Sequence, residues 1–491
     1  VSEVVIETDS TTERWRRRLR IGLGLLILLS PLPLGGRLAW AVLGLELCAL
    51  ALGSLAIWIV SRSEFSVTLA GRAALVAAAT VLLIGVLQLV PLPLDVGEFL
   101  SGPSATAHRD VGAVIPELAV STTPVSLSPP DTVDAVLRWI AFVLVAFSAA
   151  VAVRTVEQLK QLAGFIVASG AFQAIYGAAE YLSGHQHIFW YPKVYYSDEA
   201  SGTFINRNHF AAYLAMTLPI ALASVLASPW KRRTMRWREV VLEFARRNGL
   251  MLAAGVGAAA MIWVGVIFSY SRGGLAVALA GVGFLVLATR GRWRRARALG
   301  LLLLLPTLAL LWMEIRAPGE RFLEQGIQAG SLGNRTVVWS ATARMAHDAL
   351  PLGTGLGTFA EAFPLYRPPT IRLYWDHAHN DWLESLAEGG PVTLLAVLVI
   401  AGVAVVAPLF RSSEFFGPDS VWRAGLGAAV FVAALHSTVD FPLRIPAVGL
   451  LAAVLIGLSC DGLQASEIRS DPTVTPLRRT PRGPASRSRA E

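Results

Sequence analysis

His379, Arg272 and Arg335 are the side chains of this sequence whose type and place could do chemistry. His379 stands in Asp376-His377-Ala378-His379-Asn380-Asp381, outside any long apolar run. Imidazole titrates near neutral pH, which suits a base that takes a proton from a hydroxyl. The plainer role is a hydrogen-bonded loop histidine. Arg272 lies in Ser271-Arg272-Gly273-Gly274, between two hydrophobic runs with almost no loop. There a guanidinium and a helix N-terminus would hold an anion together, or the arginine would simply snorkel to an interface. Arg335 opens a helical pattern in which Val338, Thr342, Met345 and Ala349 form one stripe, with Arg344 and His347 elsewhere on the wheel. Asn334 would be its N-cap, leaving Arg335 as a second anion ligand at the first turn.

Other groupings are less specific. Gly353-x-Gly355-x-Gly357 resembles a phosphate-cradling loop, but no strand precedes it, so a turn is expected. Asp376, His377 and His379 could bind a metal from an extended segment, with His185, His187 or Asp440 as distant partners. No metal is expected, because no further ligands stand at convincing spacing. His436 and Asp440, four apart, would pair along one helix face as structural support. Asp381 and Glu384 would cap a short helix starting at Trp382, and Gly389-Gly390-Pro391 would end it and start the next span.

The elements that must position these residues are membrane helices. Apolar residues make up 54% and charged residues 15% of the 491, which is no soluble composition. A bilayer core needs about 20 apolar residues per helix. Such runs are expected near 21–36, 39–60, 72–92, 134–153, 160–182, 209–228, 250–270, 273–289, 299–315, 391–409, 422–439 and 443–461. The fold class is therefore an all-α polytopic membrane bundle of about twelve spans rather than a barrel. The expected division is a basic cytoplasmic tail at 1–20 and a nine-span bundle at 21–315. An outward catalytic loop at 316–390, three spans at 391–461 and a disordered cytoplasmic tail at 462–491 follow. The basic stretch before the first run lacks a following small-x-small site, so a retained span is expected.

Arginine clusters in the loops 229–248 and 290–298 fall on the side of both termini, which makes that side cytoplasmic. The net charge of +8 is thus a topology signal. Nucleic acid is not an expected partner, since no aromatic-basic platform accompanies it. No GxxxxGK[ST] occurs, so no nucleotide cofactor is expected. The two cysteines lie in apolar runs and exclude a disulfide framework.

Taken in order, these motifs resemble the O-antigen ligase and O-antigen polymerase family of bacterial membrane glycosyltransferases. The resemblance rests on Ser271-Arg272-Gly273-Gly274, on Asn334-Arg335 with Trp339, and on Pro351-x-Gly353-x-Gly355. It also rests on His379-Asn380, nine residues, Gly390, two residues and Thr393, with Glu388-Gly389 before Gly390. His436-Ser437-x-x-Asp440-Phe441 and the run Gly202-Thr203-Phe204-Ile205-Asn206-Arg207-Asn208-His209-Phe210 complete it. The match covers about 200–445.

The resemblance implies a GT-C-like bundle in the bacterial inner membrane. It implies transfer of a glycan from undecaprenyl diphosphate to a saccharide or lipid A-core-type acceptor at the periplasmic face, inverting and without a metal. By that likeness His379 is the base, and Arg272 and Arg335, with Arg207 as a third, bind the diphosphate. His377, Asn380, Glu388, His436 and Asp440 support them. A polymerase of the same family is the nearest alternative. A lipid-linked saccharide transporter is the other, but it should carry ionisable groups at mid-membrane, where Glu46 is the clearest.

Overall fold

The computed structural model describes residues 2–63, 65–115, 121–227, 247–289, 332–372, 374–410 and 418–460. The expected span at 299–315, nearly all of both Arg-rich loops and the expected tail at 462–491 lie outside the described residues.

The protein is mostly helical. In chain order the long helices are α1 (Ser2–Leu29), α2 (Ala39–Val60), α3 (Leu69–Leu89), then the short α4 (Leu94–Leu100) and α5 (Gly102–Val114). There follow α6 (Pro129–Ala152), α7 (Val156–Ser183), α8 (Arg207–Leu226), α9 (Arg247–Phe268) and α10 (Arg272–Ala288). The remainder are α11 (Leu332–Asp348), the single turn α12 (Phe359–Ala362), α13 (Asp381–Phe410), α14 (Pro418–His436) and α15 (Pro446–Cys460). The only strands among the described residues are two antiparallel pairs of two residues each, at 92–93 with 122–123 and 187–188 with 191–192.

Seven of these helices are long and apolar enough to cross a membrane: Ala39–Val60, Leu69–Leu89, Pro129–Ala152, Val156–Ser183, Arg207–Leu226, Gly249–Phe268 and Asp381–Phe410. α10 and α15 are apolar but shorter. The polytopic helical class therefore holds. The bounds differ from the expected runs mainly at the ends. α1 begins at Ser2, inside the expected tail, and stops at Leu29, because Pro31 and Pro33 follow. α13 starts ten residues before the expected span, since the helix at Asp381 runs on through Pro391 with one break. That break is at Gly390, whose φ of 73° is the left-handed region that favours glycine.

α8 is the centre of the bundle. Nearly all its side chains are buried, including Phe210, Tyr213 and Leu214, and it packs on α7, α9, α10 and α14. α2 is peripheral: Leu43, Leu47 and Leu50 are each more than half exposed along one stripe. An exposed apolar stripe of that size needs a non-aqueous environment, and a bilayer supplies it.

α11 lies against the start of α13. Val338, Met345 and Ala349 are buried along the expected stripe, and Val338 and Met345 share a core with Phe359, Phe363 and Trp375. Arg344 and His347 face outward, as the wheel requires. α11 begins at Leu332, so Asn334 sits inside its first turn rather than capping it. The glycines 353, 355 and 357 all have positive φ. The Thr354 and Gly355 amides donate to the Ala387 and Glu388 carbonyls. These amides are spent on tying the turn to α13, which matches the turn reading and leaves no phosphate cradle.

Candidate active site

The site forms where helix ends meet around the turn 436–440. α8, α10 and α11 all present their first turns there. Arg207 is the first residue of α8 behind its cap Asn206, and Arg272 the first of α10 behind its cap Ser271. The Ser271 hydroxyl donates to Asn208 Oδ1 at 2.9 Å, joining two of these N-termini. Gly273 backs onto the turn: a Cβ there would stand 3.6 Å from His436 Nε2 and from Val439 Cγ2. Arg335, in the first turn of α11, donates from Nη1 to the Val439 carbonyl and from Nη2 to Asp440 Oδ2 at 3.4 Å. Three arginines thus stand at three helix N-termini, Arg335 facing Asp440 and Arg207 facing Glu199.

Asp440 joins the arginines to the histidine. Its Oδ1 lies 3.0 Å from His379 Nδ1. Burial alone would raise the Asp440 carboxyl, but His379 and Arg335 outweigh it and hold it well below the ordinary aspartate range. An ionised carboxylate only accepts hydrogen bonds, so Nδ1 must carry the hydrogen. In the neutral imidazole Nε2 is then the lone-pair nitrogen, the form a base requires. The expected His436–Asp440 pair does not form. Both Asp440 oxygens are taken by other partners, and His436 Nδ1 is buried without a hydrogen bond.

His379 is held on every side. It has φ of 52°, left-handed and rare for a side chain with a Cβ. Such a conformation costs on the order of 1–3 kcal/mol and persists only where surroundings impose it. Its ring packs edge-on against Trp375 and Phe441, at 5.0 and 4.7 Å between centroids. The preceding residue is pinned at both ends: Ala378 N–H donates to Glu384 Oε2 at 2.7 Å, and Trp339 Nε1 donates to the Ala378 carbonyl at 3.0 Å. After it, Asn380 caps α13, its Oδ1 accepting from Leu383 N–H.

That cap corrects the expected pairing of Asp381 with Glu384. The helix starts at Asp381, one residue early, and Glu384 reaches past the cap. Its Oε1 meets His377 Nδ1 at 2.8 Å while its Oε2 holds Ala378. Adjacent Asn and Asp are equally able caps, and only the three-dimensional demand of His377 and Ala378 on Glu384 decides between them.

His377 and His379 thus turn to different carboxylates, which is not the shared face a Asp376-His377-x-His379 metal site needs. Glu388, expected as a supporting residue, accepts from the Phe359 amide at Oε1 and meets Arg444 Nη1 at 2.8 Å. Arg444 also faces Glu384 at 3.5 Å and Asp381 at 3.8 Å. This guanidinium among three carboxylates of one helix face was not singled out in the sequence. The spacing 381, 384, 388 was its signal, since those positions share a face. Arg207 pairs with Glu199 at 2.5 Å and lies over the Tyr196 ring at 5.5 Å. Burial is the main cause that raises the Tyr196 phenol, and the charges of Asp440, Arg207 and Arg335 all reach it.

His377 carries a pH prediction. Burial acts to lower its pKa, but the Glu384 carboxylate at 2.8 Å prevails, and the imidazole lies above its ordinary value. A raised folded value means the stabilisation is full below about pH 6.5, the unfolded value. It is lost as pH rises through the folded one. The melting-temperature gap between wild type and His377→Gln should therefore be largest near pH 6 and shrink toward pH 8. A gap constant across that range would show that the pair does not titrate there.

The fold and site together define a polytopic helical membrane protein with a histidine–carboxylate–arginine centre at one end of its bundle. Residues 256–398 match the family model described as O-antigen ligase, so this segment is similar to the O-antigen ligase family. The matched segment holds Arg272, Arg335, His377, His379, Asn380 and Glu388, while Arg207, His436 and Asp440 lie outside it. No curated protein matches the chain.

Proposed function

We propose that this protein transfers a glycan from undecaprenyl diphosphate to a hydroxyl of a saccharide or lipid A-core-type acceptor, as an O-antigen ligase. The reaction runs at the periplasmic face of the bacterial inner membrane, with both termini cytoplasmic. His379 Nε2 takes the proton of the acceptor hydroxyl, and the oxygen attacks the anomeric carbon. The bond to the diphosphate breaks on the opposite side, so the configuration inverts, and the lipid diphosphate leaves with the electron pair. Arg335, Arg272 and Arg207, each at a helix N-terminus, bind the diphosphate where negative charge grows. No metal is needed, because fixed guanidinium groups take the place of a cation.

One observation carries this reading: a buried, ionised Asp440 bridges His379 and Arg335. It orients the base and an anion ligand from the same two oxygens. A transporter has no use for a histidine held in one tautomer beside arginines at the bundle's end.

The test is transfer by purified protein from a lipid diphosphate-linked glycan. Arg335→Lys and Arg272→Lys keep the charge but lose the planar fork. Each should lower turnover or donor affinity at least tenfold, about 1.4 kcal/mol. Arg335 is the clearer case, because it reaches the Val439 carbonyl and Asp440 with two separate nitrogens of one planar fork, which a single ammonium nitrogen does not reproduce. Near-wild-type rates in both would remove the arginines from the donor site. A reporter fused at residue 360 should read outside the cytoplasm; a cytoplasmic reading would put the donor on the wrong side.

A further inference from the structure

A cavity of about 560 Å³ opens beside the site and contains none of His379, Asp440, Arg335, Arg272 or Arg207. It runs between α3, α6, α13 and α15. Along α15 it is lined from Pro446 to Cys460, with Gly449, Ala453 and Gly457 on one stripe. Fifteen helical residues span roughly 22 Å, more than the ~15 Å of one leaflet's hydrocarbon. Its far end is apolar, with Phe65, Val67 and Phe147. Gly449 and Gly457 let α15 close on α6, since a Cβ there would stand 2.6 Å from Phe142 Cζ and against the Ala146 carbonyl oxygen; the remaining apolar wall of the cavity solvates an aliphatic tail as lipid does.

The near end is polar. It carries Asp131, Asp134, Asp376, Asp381 and Glu388 against Arg37, Arg138 and Arg444. Carboxylates and guanidinium groups are interleaved here, and the His377 imidazole stands among them. Thr393 Oγ1 has no hydrogen-bond partner, although the residue is at least nine-tenths buried, while Asp381 Oδ1 faces Arg444 Nε at 3.8 Å. Buried polar atoms without partners cost free energy and call for a ligand or water. The arginine-bearing helix N-termini around Asp440 suit a diphosphate. This mouth suits one less, because carboxylates already face its Arg37 and Arg444. Interleaved acceptors and donors suit hydroxyls, which both give and take hydrogen bonds.

We infer that this cavity is a second lipid site, which takes an amphiphile with one aliphatic chain inside and an uncharged, hydroxyl-rich head at the mouth. His377 lines the mouth, and Phe441 stands against both imidazoles, at 4.2 Å from His377 and 4.7 Å from His379 between centroids. The head is therefore delivered to the loop that carries His379. That this occupant is the acceptor rests on the transferase reading above, in its saccharide form and not its lipid A-core form; the binding site itself does not.

The probe is tritiated dodecyl maltoside below its micellar concentration, with the protein in lipid nanodiscs and no donor present. Binding should saturate at one per chain and be at least tenfold tighter than for dodecyl phosphate or dodecyltrimethylammonium. Ala453→Phe, which fills the channel, should abolish it while the melting temperature stays near wild type. Thr393→Val, which removes only the hydroxyl, should weaken it severalfold. His379→Ala should bind as wild type does. Equal or tighter binding of the phosphate or the ammonium would overturn the head-group assignment. Unchanged binding in folded Ala453→Phe would overturn the site. If Ala453→Phe does not fold, Thr393→Val decides, and wild-type affinity there overturns the proposal. Wild-type protein that binds the glycoside but transfers no glycan would remove the acceptor role and leave the site standing.

Discussion

His379→Ala should bind the lipid diphosphate-linked donor with nearly wild-type affinity and transfer it 10²–10⁴-fold more slowly, about the contribution of a general base. The imidazole touches Asp440, Trp375 and Phe441, and Arg335 keeps its bond to Val439 without it. Donor binding therefore survives the loss. Relief of the left-handed φ is absent as well, because alanine retains a Cβ at the same strained position. Exhaustive chelation of the wild type should leave the rate unchanged. His377→Ala should cost far less than His379→Ala, since its imidazole faces Glu384 and not Asp440. A metal site predicts the opposite on both counts, namely loss with chelator, rescue by a divalent ion, and equal damage from either histidine. That outcome would sink the base assignment and return Asp376, His377 and His379 as ligands.

The spans were legible because apolar length is a local property. α2 falls on its expected run, and α3, α6, α7, α8, α9 and α10 fall within a few residues of theirs. His379 and the arginines were legible for a different reason. A charged or titratable group at the end of an apolar run is expensive unless something uses it. What joins them was not legible. His379 meets Asp440 across 61 residues and Arg335 meets it across 105. The nearest sequence partner of Asp440 was His436, one helical turn back, and helical spacing favoured that pair. The helix ends at His436, so the geometry behind that expectation stops before Asp440 is reached.

Arg444 shows the same limit. Two residues after Pro442, it stands at the start of the expected run 443–461. Its partners Glu384 and Glu388 are on another helix, and nothing local marks them as its partners. Gln88 is a further case: inside an apolar helix, it donates to the Leu352 and Glu388 carbonyls and accepts from the Leu356 amide. It thereby fastens the glycine turn to the break at Gly390. A lone glutamine in a span carries no mark of that role until the carbonyls it satisfies are in place.

Asp440→Asn should lower transfer by 10²–10⁴-fold, close to the loss of His379 itself. The carboxylate accepts at Oδ1 from His379 Nδ1 and from the Phe441 amide, both at 3.0 Å, and faces Arg335 with Oδ2. An asparagine has one oxygen for these donors and turns an NH₂ toward the rest. If the oxygen stays on His379, Arg335 meets a donor. If it turns to Arg335, His379 meets a donor and flips its hydrogen to Nε2, which removes the base. In either case the imidazolium formed during transfer has lost its counter-charge. Removing one partner of a buried pair also costs about 3–5 kcal/mol, so stability must be read separately. A purely structural Asp440 would lower the melting temperature and leave the turnover of the folded fraction unchanged. An orienting Asp440 lowers turnover in folded protein and shifts the pH of half-maximal rate downward, because the imidazolium has lost its counter-charge, with donor affinity falling less than turnover. Asp440→Glu, which keeps the charge on a longer arm, should recover part of the rate where Asn recovers none. Folded Asp440→Asn that turns over within threefold of wild type, with an unshifted pH profile, would show that Asp440 does not set the tautomer of His379.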